Sequence, residues 1–311
     1  MYDLDQLLER TSRTYALTIP FLPEPTRREV AIAYLLMRVV DTFEDAETWP
    51  AERRCQALDT FGRLIHFDSA PDLDALAELS CRLDADPPSS HEGYRALLRE
   101  LPGLVADLAA LDRPQRDQIV LHTQKMIDGM AATLRASQKR DGAIVLDSLQ
   151  ELRAYCYFVA GLVGEMLTEL MLLDAPQLAP AADAMRRNAA LFGEALQLTN
   201  ILKDSRADAA EGRSFLKDER RRAEAFELAR RDLCAAVDFI ETLRSHGAPE
   251  GFLGFTALPV KLSIATLRLV EEKGPGHKIG RDAVTQALVD LQAALDSNAP
   301  PVPEIADWRT D

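Results

Sequence analysis

Residues 26–46, TRREVAIAYLLMRVVDTFEDA, follow Pro25 and read as one helix. Val30, Ile32, Ala33, Leu35, Leu36, Val39 and Val40 cover so much of its circumference that the spacing predicts a helix enclosed by others, not a surface helix. Its end, Arg38-Val39-Val40-Asp41-Thr42-Phe43-Glu44-Asp45, sets Asp41 and Asp45 one turn apart on one face. A second helical stretch, 182–209, contains Asn200-Ile201-Leu202-Lys203-Asp204 and continues to Asp208, so Asn200, Asp204 and Asp208 again share a face. Carboxylates within apolar sequence repel one another and cost desolvation energy. Hard divalent cations offset that cost, and Mg2+ held by carboxylates commonly also takes oxygens from substrate phosphates. Two such sets predict a cage for a diphosphate. A single D-x-x-x-D is ordinarily a solvated helix face. The amide oxygen of Asn200, and the flanking Leu196, Leu198, Ile201 and Leu202, argue against that reading for the second set.

The rest of the chain reads as further helices. Pro71, Pro87-Pro88-Ser89-Ser90 and Pro102 divide the section after the first acid set into short ones. Residues 115–136 are predicted helical, and 148–173 form a long, strongly apolar helix ending in a turn, Asp174–Pro180. After the second acid set come a polar loop, Ala210-Glu211-Gly212-Arg213-Ser214, and a charged helix from about residue 217 to 244. Gly247 to Gly254, with Pro249, reads as a break. Helices over 256–272 and 281–296 are joined by Lys273-Gly274-Pro275-Gly276-His277-Lys278. There is no repeat of fixed period, no strand alternation and no glycine-rich nucleotide fingerprint. The expectation is an all-α single domain over residues 1–298, followed by an extended or disordered tail, 299–311, that begins with Pro300-Pro301-Val302-Pro303.

Composition supports this reading. Of the 311 residues, 47% are hydrophobic and only 6% aromatic, enough for a sizeable core, with Leu and Ala favouring helix. The net charge of −14, from 50 acidic against 36 basic residues, disfavours nonspecific nucleic-acid binding. An anionic substrate is still compatible with it, provided metal ions and local Arg or Lys invert the field at the site. Cys55, Cys81, Cys156 and Cys234 make no C-x-x-C pair and no zinc spacing, so reduced thiols in the cytoplasm are expected, with Cys156 in the core. The N-terminus, MYDLDQLLER, has no apolar signal region, and no uninterrupted apolar run approaches a membrane span of about 18–20 residues. A soluble protein is expected, peripheral to the inner face of the membrane and touching it near Phe252 and Leu253. The sequence specifies no oligomeric state.

Five blocks resemble the squalene and phytoene synthase family, in its order and over nearly the whole length. Ser12-Arg13-Thr14-Tyr15-Ala16-Leu17 resembles the opening S-R-[ST]-[FY] element. Arg38 to Asp45 resembles the first aspartate-rich motif, R-x-x-D-T-x-E-D. Tyr155-Cys156-Tyr157-Phe158-Val159-Ala160-Gly161-Leu162-Val163-Gly164 resembles Y-C-x-Y-V-A-G-x-V-G. Gln197 to Asp204, with Asp208 and Gly212-Arg213, resembles Q-x-T-N-I-x-[RK]-D-x-x-x-D and its trailing G-R. Phe255 to Leu267, with Lys278-Ile279, resembles the C-terminal region of the squalene synthases.

The resemblance implies an isoprenoid synthase fold, a helical bundle around a central apolar cavity with the acid motifs at its mouth. It implies head-to-head condensation of two farnesyl diphosphates through presqualene diphosphate, then NADPH-dependent reductive rearrangement to squalene. Its metal ligands, for Mg2+ or Mn2+, would be Asp41, Glu44, Asp45, Asn200, Asp204 and Asp208. Ser12, Arg13, Tyr15, Arg38, Gln197, Lys203 and Arg213 would bind substrate, the guanidinium forks suiting phosphate oxygens. Arg13, Arg38, Lys203, Lys273, Lys278 and Arg281 would meet the nucleotide. Tyr155 would steer diphosphate and proton and face cationic charge, joining Asp41, Asp45, Asp204 and Asp208 as catalytic groups. Phe255 would serve the second half-reaction, while Phe192 is read as core.

Taken one at a time these residues have plainer roles: a solvated Arg, a packed Tyr with a satisfied hydroxyl, a flexible lysine loop, Glu44 as a partner of Arg38. There are also departures. Val260 stands after Pro259, where squalene synthases often carry Gln; Ala207 stands at an often acidic position; and Lys203 replaces a frequent Arg. These weigh on the reductive half more than on coupling. Alternatives are a dehydrosqualene, phytoene or hydroxysqualene synthase without the reductive step and, from another class, a catalytically silent helical binding protein. A terpene cyclase is disfavoured because N-D-x-x-[ST]-x-x-x-E is absent.

Overall fold

The computed structural model describes residues 3–12, 15–46, 48–137 and 144–308. The chain divides into two compact units, residues 1–19 with 24–142, and residues 20–23 with 143–311. The architecture is all-α, as the 3.6-residue periodicity implies.

The first unit holds α1 (Leu4–Thr11), α2 (Tyr15–Thr18), α3 (Thr26–Glu44), α4 (Ala51–Ile65), α5 (Leu73–Ala85), α6 (Glu92–Arg99), α7 (Leu101–Ala109) and α8 (Arg113–Ser137). Helix α3 is its axis and packs against α1, α4, α6, α7 and α8. Its Ile32, Ala33, Leu35, Leu36, Val39, Val40 and Phe43 are wholly buried, as a helix apolar on nearly every side requires. Each large aliphatic or aromatic side chain among them contributes about 1.5–3 kcal/mol by leaving water. At the C-terminal end Phe43 meets Phe61 of α4 edge-on, ring centres 6.1 Å apart, and stacks on Trp49 at 6.4 Å. The helix therefore ends rigidly, with Asp45 on its last turn donating its backbone N–H to the Asp41 carbonyl at 2.8 Å.

The second unit holds α9 (Leu149–Cys156), α10 (Leu162–Asp174), α11 (Ala182–Ala210), α12 (Glu219–Ser245), α13 (Glu250–Lys273) and α14 (Arg281–Asp296). Here α11 is central, packed by α9, α10, α12 and α13. Between α9 and α10 the chain stays helical but widens into a π turn, Tyr157–Gly161, closed by the Leu162 N–H reaching back to the Tyr157 carbonyl. This widened turn lies so close to α11 that a Cβ on Gly193 would come within 1.9 Å of the Ala160 carbonyl oxygen. A two-residue parallel bridge, Ile144–Val145 with Arg213–Ser214, holds the loop that follows α11.

Four expectations are corrected. The predicted break at Gly247–Gly254 is shorter, because α13 starts at Glu250; Gly251 and Gly254 are glycine for close packing, and a Cβ on Gly251 would meet the Phe21 carbonyl oxygen at 2.1 Å. Phe252 and Leu253, expected at a membrane, are buried at 0% and 8% exposure. Two helical stretches, Leu149–Asp174 and Glu250–Lys273, are long and apolar enough to cross a bilayer, unlike the reading from uninterrupted runs; half and 72% of their apolar windows are buried inside the protein, as in core helices. The tail is not extended throughout: Pro303–Trp308 forms a 3-10 turn on α12 and α13, with Val302 and Ile305 buried. Lys261, itself buried in α13, fastens it by an ion pair with Glu304 and a bond to the Pro301 carbonyl at 3.3 Å.

Candidate active site

In the first unit the acid motif closes α3. Arg38 sits within an aromatic box: its Nε and Nη2 donate to the Tyr34 hydroxyl at 3.2 and 3.0 Å, and its guanidinium lies 5.4 and 5.7 Å from the ring centres of Tyr34 and Tyr94. Its Nη1 reaches Asp41 at 3.2 Å. Burial works against the guanidinium's charge, but Asp41 and Tyr34 outweigh it, and Arg38 is held protonated beyond its ordinary range. Tyr34 is anchored in turn by donating to the Thr11 carbonyl at 3.2 Å.

Tyr15 lies 5.0 Å from the Tyr34 ring, and burial first, then Tyr34, pushes its phenol up to about 12, so it remains a proton donor. Ser12, just past the end of α1, caps the start of α2, its hydroxyl accepting from the Tyr15 N–H at 2.9 Å. Arg13 lies outside the described residues.

The two acids of this motif differ. Asp41 is half-buried, and burial pushes its carboxyl up to about 6 against the pull of Arg38, with Asp45 adding to the rise. Asp45 is exposed and borders a cavity of about 520 Å3 lined by Thr48, Pro87, Pro88, Ser89, Ser90 and Arg95. Glu44 is only 4% exposed, set around the helix from the rim that Asp45 occupies.

In the second unit the acid motif lies near the C-terminal end of α11. Lys203 donates to the Asn200 side-chain oxygen at 3.2 Å and pairs with Asp204 at 3.0 Å. Arg213 on the following loop pairs with Asp208 at 3.6 Å and contacts Glu211. Gln197 is half-buried one turn before Asn200. Among the described residues, the three basic side chains assigned to the diphosphate, Arg38, Lys203 and Arg213, are therefore each paired with an acid assigned to metal. The side chains in these pairs are half-buried, 15–37% exposed, and water still screens them enough to hold each pair to about 1 kcal/mol, so exchanging them for metal and phosphate oxygens costs little.

Tyr155 on α9 is 9% exposed, and its ring stacks on Phe215 at 4.9 Å, just beyond the Arg213 loop. Phe255 in α13 is buried at 2% exposure, and Phe192 is core, stacked obliquely on Phe239 at 5.6 Å. Lys273, Lys278 and Arg281 are all exposed around the loop joining α13 to α14. That loop is docked, because the Gly276 N–H donates to the Lys203 backbone carbonyl at 2.7 Å.

Sequence reasoning did not find this contact, nor Tyr94. Tyr34 carried a signal, standing four residues before Arg38 and so on the same face.

No group of three or more His, Cys, Asp or Glu side chains converges on a metal position among the described residues. The donors still suit Mg2+. Each unit offers two carboxylates, the second adds the Asn200 amide oxygen, and Mg2+ typically takes one or two carboxylates and completes its shell with water and substrate phosphate. The chemistry is hard oxygen throughout, with cations alongside.

The squalene/phytoene synthase family model matches residues 8–223, which contain both acid motifs and the Tyr155–Gly164 block. The squalene synthase of Schizosaccharomyces pombe is 32% identical over 213 residues, 68% of this chain and 42% of that protein. That of Bos taurus is 33% identical over 215 residues, 68% of this chain and 45% of that protein, so the chain spans less than half the length of these curated relatives. A solved structure of TcSQS with the ligand BPH1237 superposes with a TM-score of 0.72 at 25% identity, covering 99% of this chain and 91% of that one. The fold is that of the squalene synthases, the all-α isoprenoid synthase fold.

Proposed function

The chain belongs to the squalene/phytoene synthase family, and from that premise we propose that it is a prenyltransferase. In this reading it condenses two farnesyl diphosphates head to head into presqualene diphosphate, then rearranges and reduces that intermediate to squalene. The observation that carries the proposal is the repeated pairing of base with acid, Arg38 with Asp41 on α3, and Lys203 with Asp204 and Arg213 with Asp208 on α11 and its loop. Ionising an allylic diphosphate needs both components, acids to gather metal and bases to hold phosphate.

Asp41 and Asp45 in one unit, and Asn200, Asp204 and Asp208 in the other, would hold Mg2+, which when bound neutralises the departing diphosphate as a Lewis acid. Glu44, buried, is left out of that set. Arg38, held protonated and fixed in orientation by Tyr34, binds phosphate oxygens, as do Lys203 and Arg213. Tyr15, whose phenol keeps its proton, donates to the diphosphate. Tyr155 presents its ring to developing cationic charge and its hydroxyl to the diphosphate. Dry packing around Phe255 keeps water from quenching the cation. Lys273, Lys278 and Arg281 are assigned to the phosphates of NADPH, which supplies a hydride when bound. The four free cysteines suit a cytoplasmic setting.

The test is incubation of the purified protein with farnesyl diphosphate and Mg2+, with and without NADPH, followed by product analysis. Squalene is expected only with NADPH. An identical product in both reactions contradicts the reductive half, and no product in either contradicts the whole reading.

A further inference from the structure

Away from the acid motifs the second unit holds a charge cluster that the proposed chemistry leaves idle: two buried carboxylates, Glu194 and Asp232, beside Arg153, whose side chain is 44% exposed. Arg153 on α9 donates through Nε and Nη2 to Oε2 of Glu194 on α11, both at 3.2 Å. Asp232 on α12 is 4% exposed, and its Oδ2 is buried without a hydrogen-bond partner among the described residues. The three helices pack on one another, and Cys156, one turn after Arg153, is fully buried.

Arg153 hydrogen-bonds Glu194 and not Asp232, and a surplus buried anion without a bonded cation is strongly unfavourable, so one carboxyl retains a proton. The bonding pattern identifies it: Glu194 holds the guanidinium and Asp232 holds nothing. Burial, then the charge of Glu194, pushes the Asp232 carboxyl up to about 7, against Arg153 and Arg231. Burial also raises Glu194, with Arg153 opposing. The remaining titratable neighbours are Cys156, raised by burial and by both acids, and Tyr157, raised by burial and by Glu165 before Glu194.

Arg153 and Tyr155 are two residues apart, about 200° around the helix, so they leave α9 on opposite sides. One clamps the helix to α11, and the other stacks on Phe215. Helix α9 is only eight residues long and passes directly into the π turn, its last regular bond running from the Tyr157 N–H to the Arg153 carbonyl.

We propose that Glu194 and Asp232 are positioning residues that make α9, and with it Tyr155, responsive to a single proton. With Asp232 protonated, Arg153 is committed to Glu194. When Asp232 releases its proton to solvent, two carboxylates compete for one guanidinium and α9 loosens. The consequence for catalysis rests on the role given to Tyr155 above; the proton response itself does not.

The test is hydrogen exchange of the α9 amides, corrected for intrinsic pH dependence, at about pH 5.5 and about pH 8.5, on either side of the Asp232 transition. Wild-type protein is expected to lose about fivefold or more of its α9 protection at the higher pH, and Asp232→Asn to stay protected at both. In Glu194→Gln the guanidinium is free for Asp232, so the midpoint moves to lower pH. Equal wild-type protection at both pH values, or a response that survives in Asp232→Asn, overturns the proposal. Should Asp232→Asn not fold, an unshifted or higher midpoint in Glu194→Gln overturns it instead. The turnover number for coupling is expected to fall with the same midpoint while KM holds. An α9 response without coupling activity at any pH sinks the assigned reaction and leaves the proton device standing.

Discussion

The backbone N–H of Gly276 donates to the backbone carbonyl of Lys203 across 2.7 Å, fastening the loop between α13 and α14 to the turn of α11 that separates Asn200 from Asp204. A helical carbonyl has a second lone pair to give, so the contact need not break the helix. It delivers an exposed cationic loop to the second acid motif, linking the residues assigned to nucleotide with those assigned to diphosphate.

Gly276 adopts φ 91°, where a side chain is strained by about 1–3 kcal/mol. Gly276→Ala is expected to release the loop. In steady-state assays KM for NADPH should rise about tenfold, while formation of the coupled intermediate without NADPH is unchanged. A variant that loses coupling but keeps its NADPH affinity would place the loop's role elsewhere.

Asp41→Ala and Asp204→Ala each remove one carboxylate from a motif. Coupling should fall by about 10²–10³-fold or more. Both acids are partly solvent-exposed, and their ion pairs contribute little to folding, so the far-UV circular dichroism should match wild type. Near-normal turnover in either variant refutes the assignment of that acid.

Gly193→Ala tests how closely α11 approaches the π turn. The added Cβ would sit 1.9 Å from the Ala160 carbonyl oxygen, so two backbones must separate, costing about 1–3 kcal/mol or more. Calorimetry should show a clear drop in Tm. Wild-type stability in this variant would mean that the two backbones lie farther apart.

Stability should carry the imprint of Asp232. Its folded-state pKa of about 7 exceeds the ordinary 3.8, so the folded protein binds more protons between these values. The contribution is fully present below 3.8 and is lost as pH rises through about 7, amounting to a few kcal/mol at most. Asp232→Asn should flatten this slope and be the more stable protein in mild alkali, as read from denaturant midpoints across pH. An unchanged slope contradicts the assignment.

Lys261→Met leaves Glu304 without its cation on a partly buried site, at a cost of about 1–3 kcal/mol. The Pro303–Trp308 turn should then open, and limited proteolysis should cleave beyond α14 while the remaining helices resist. Equal resistance in both proteins would show that Val302 and Ile305 suffice as anchors.

What the sequence made legible follows periodicity. Helix α3 could be read because apolar residues surround it, and α11 because its acids recur every fourth position. The break at 247–254 misled because glycine serves both turns and tight packing, and the partner that decides, Phe21, lies far away in the chain. The tail misled for a related reason: proline suggests extension, while burial of Val302 and Ile305 depends on α12 and α13. Within the site, Tyr34 lay in view through its spacing from Arg38, whereas Tyr94 and Gly276 reach their partners only through folding.

The π turn at Tyr157–Gly161 inserts one residue's worth of rotation between the helix that carries Tyr155 and the helix that follows. Deleting a single residue there would restore an unbroken α-helix and swing everything upstream by about 100°. Tyr155 would then face a different neighbour although neither it nor any residue around it had been substituted, making chain length at this point a determinant of chemistry in its own right.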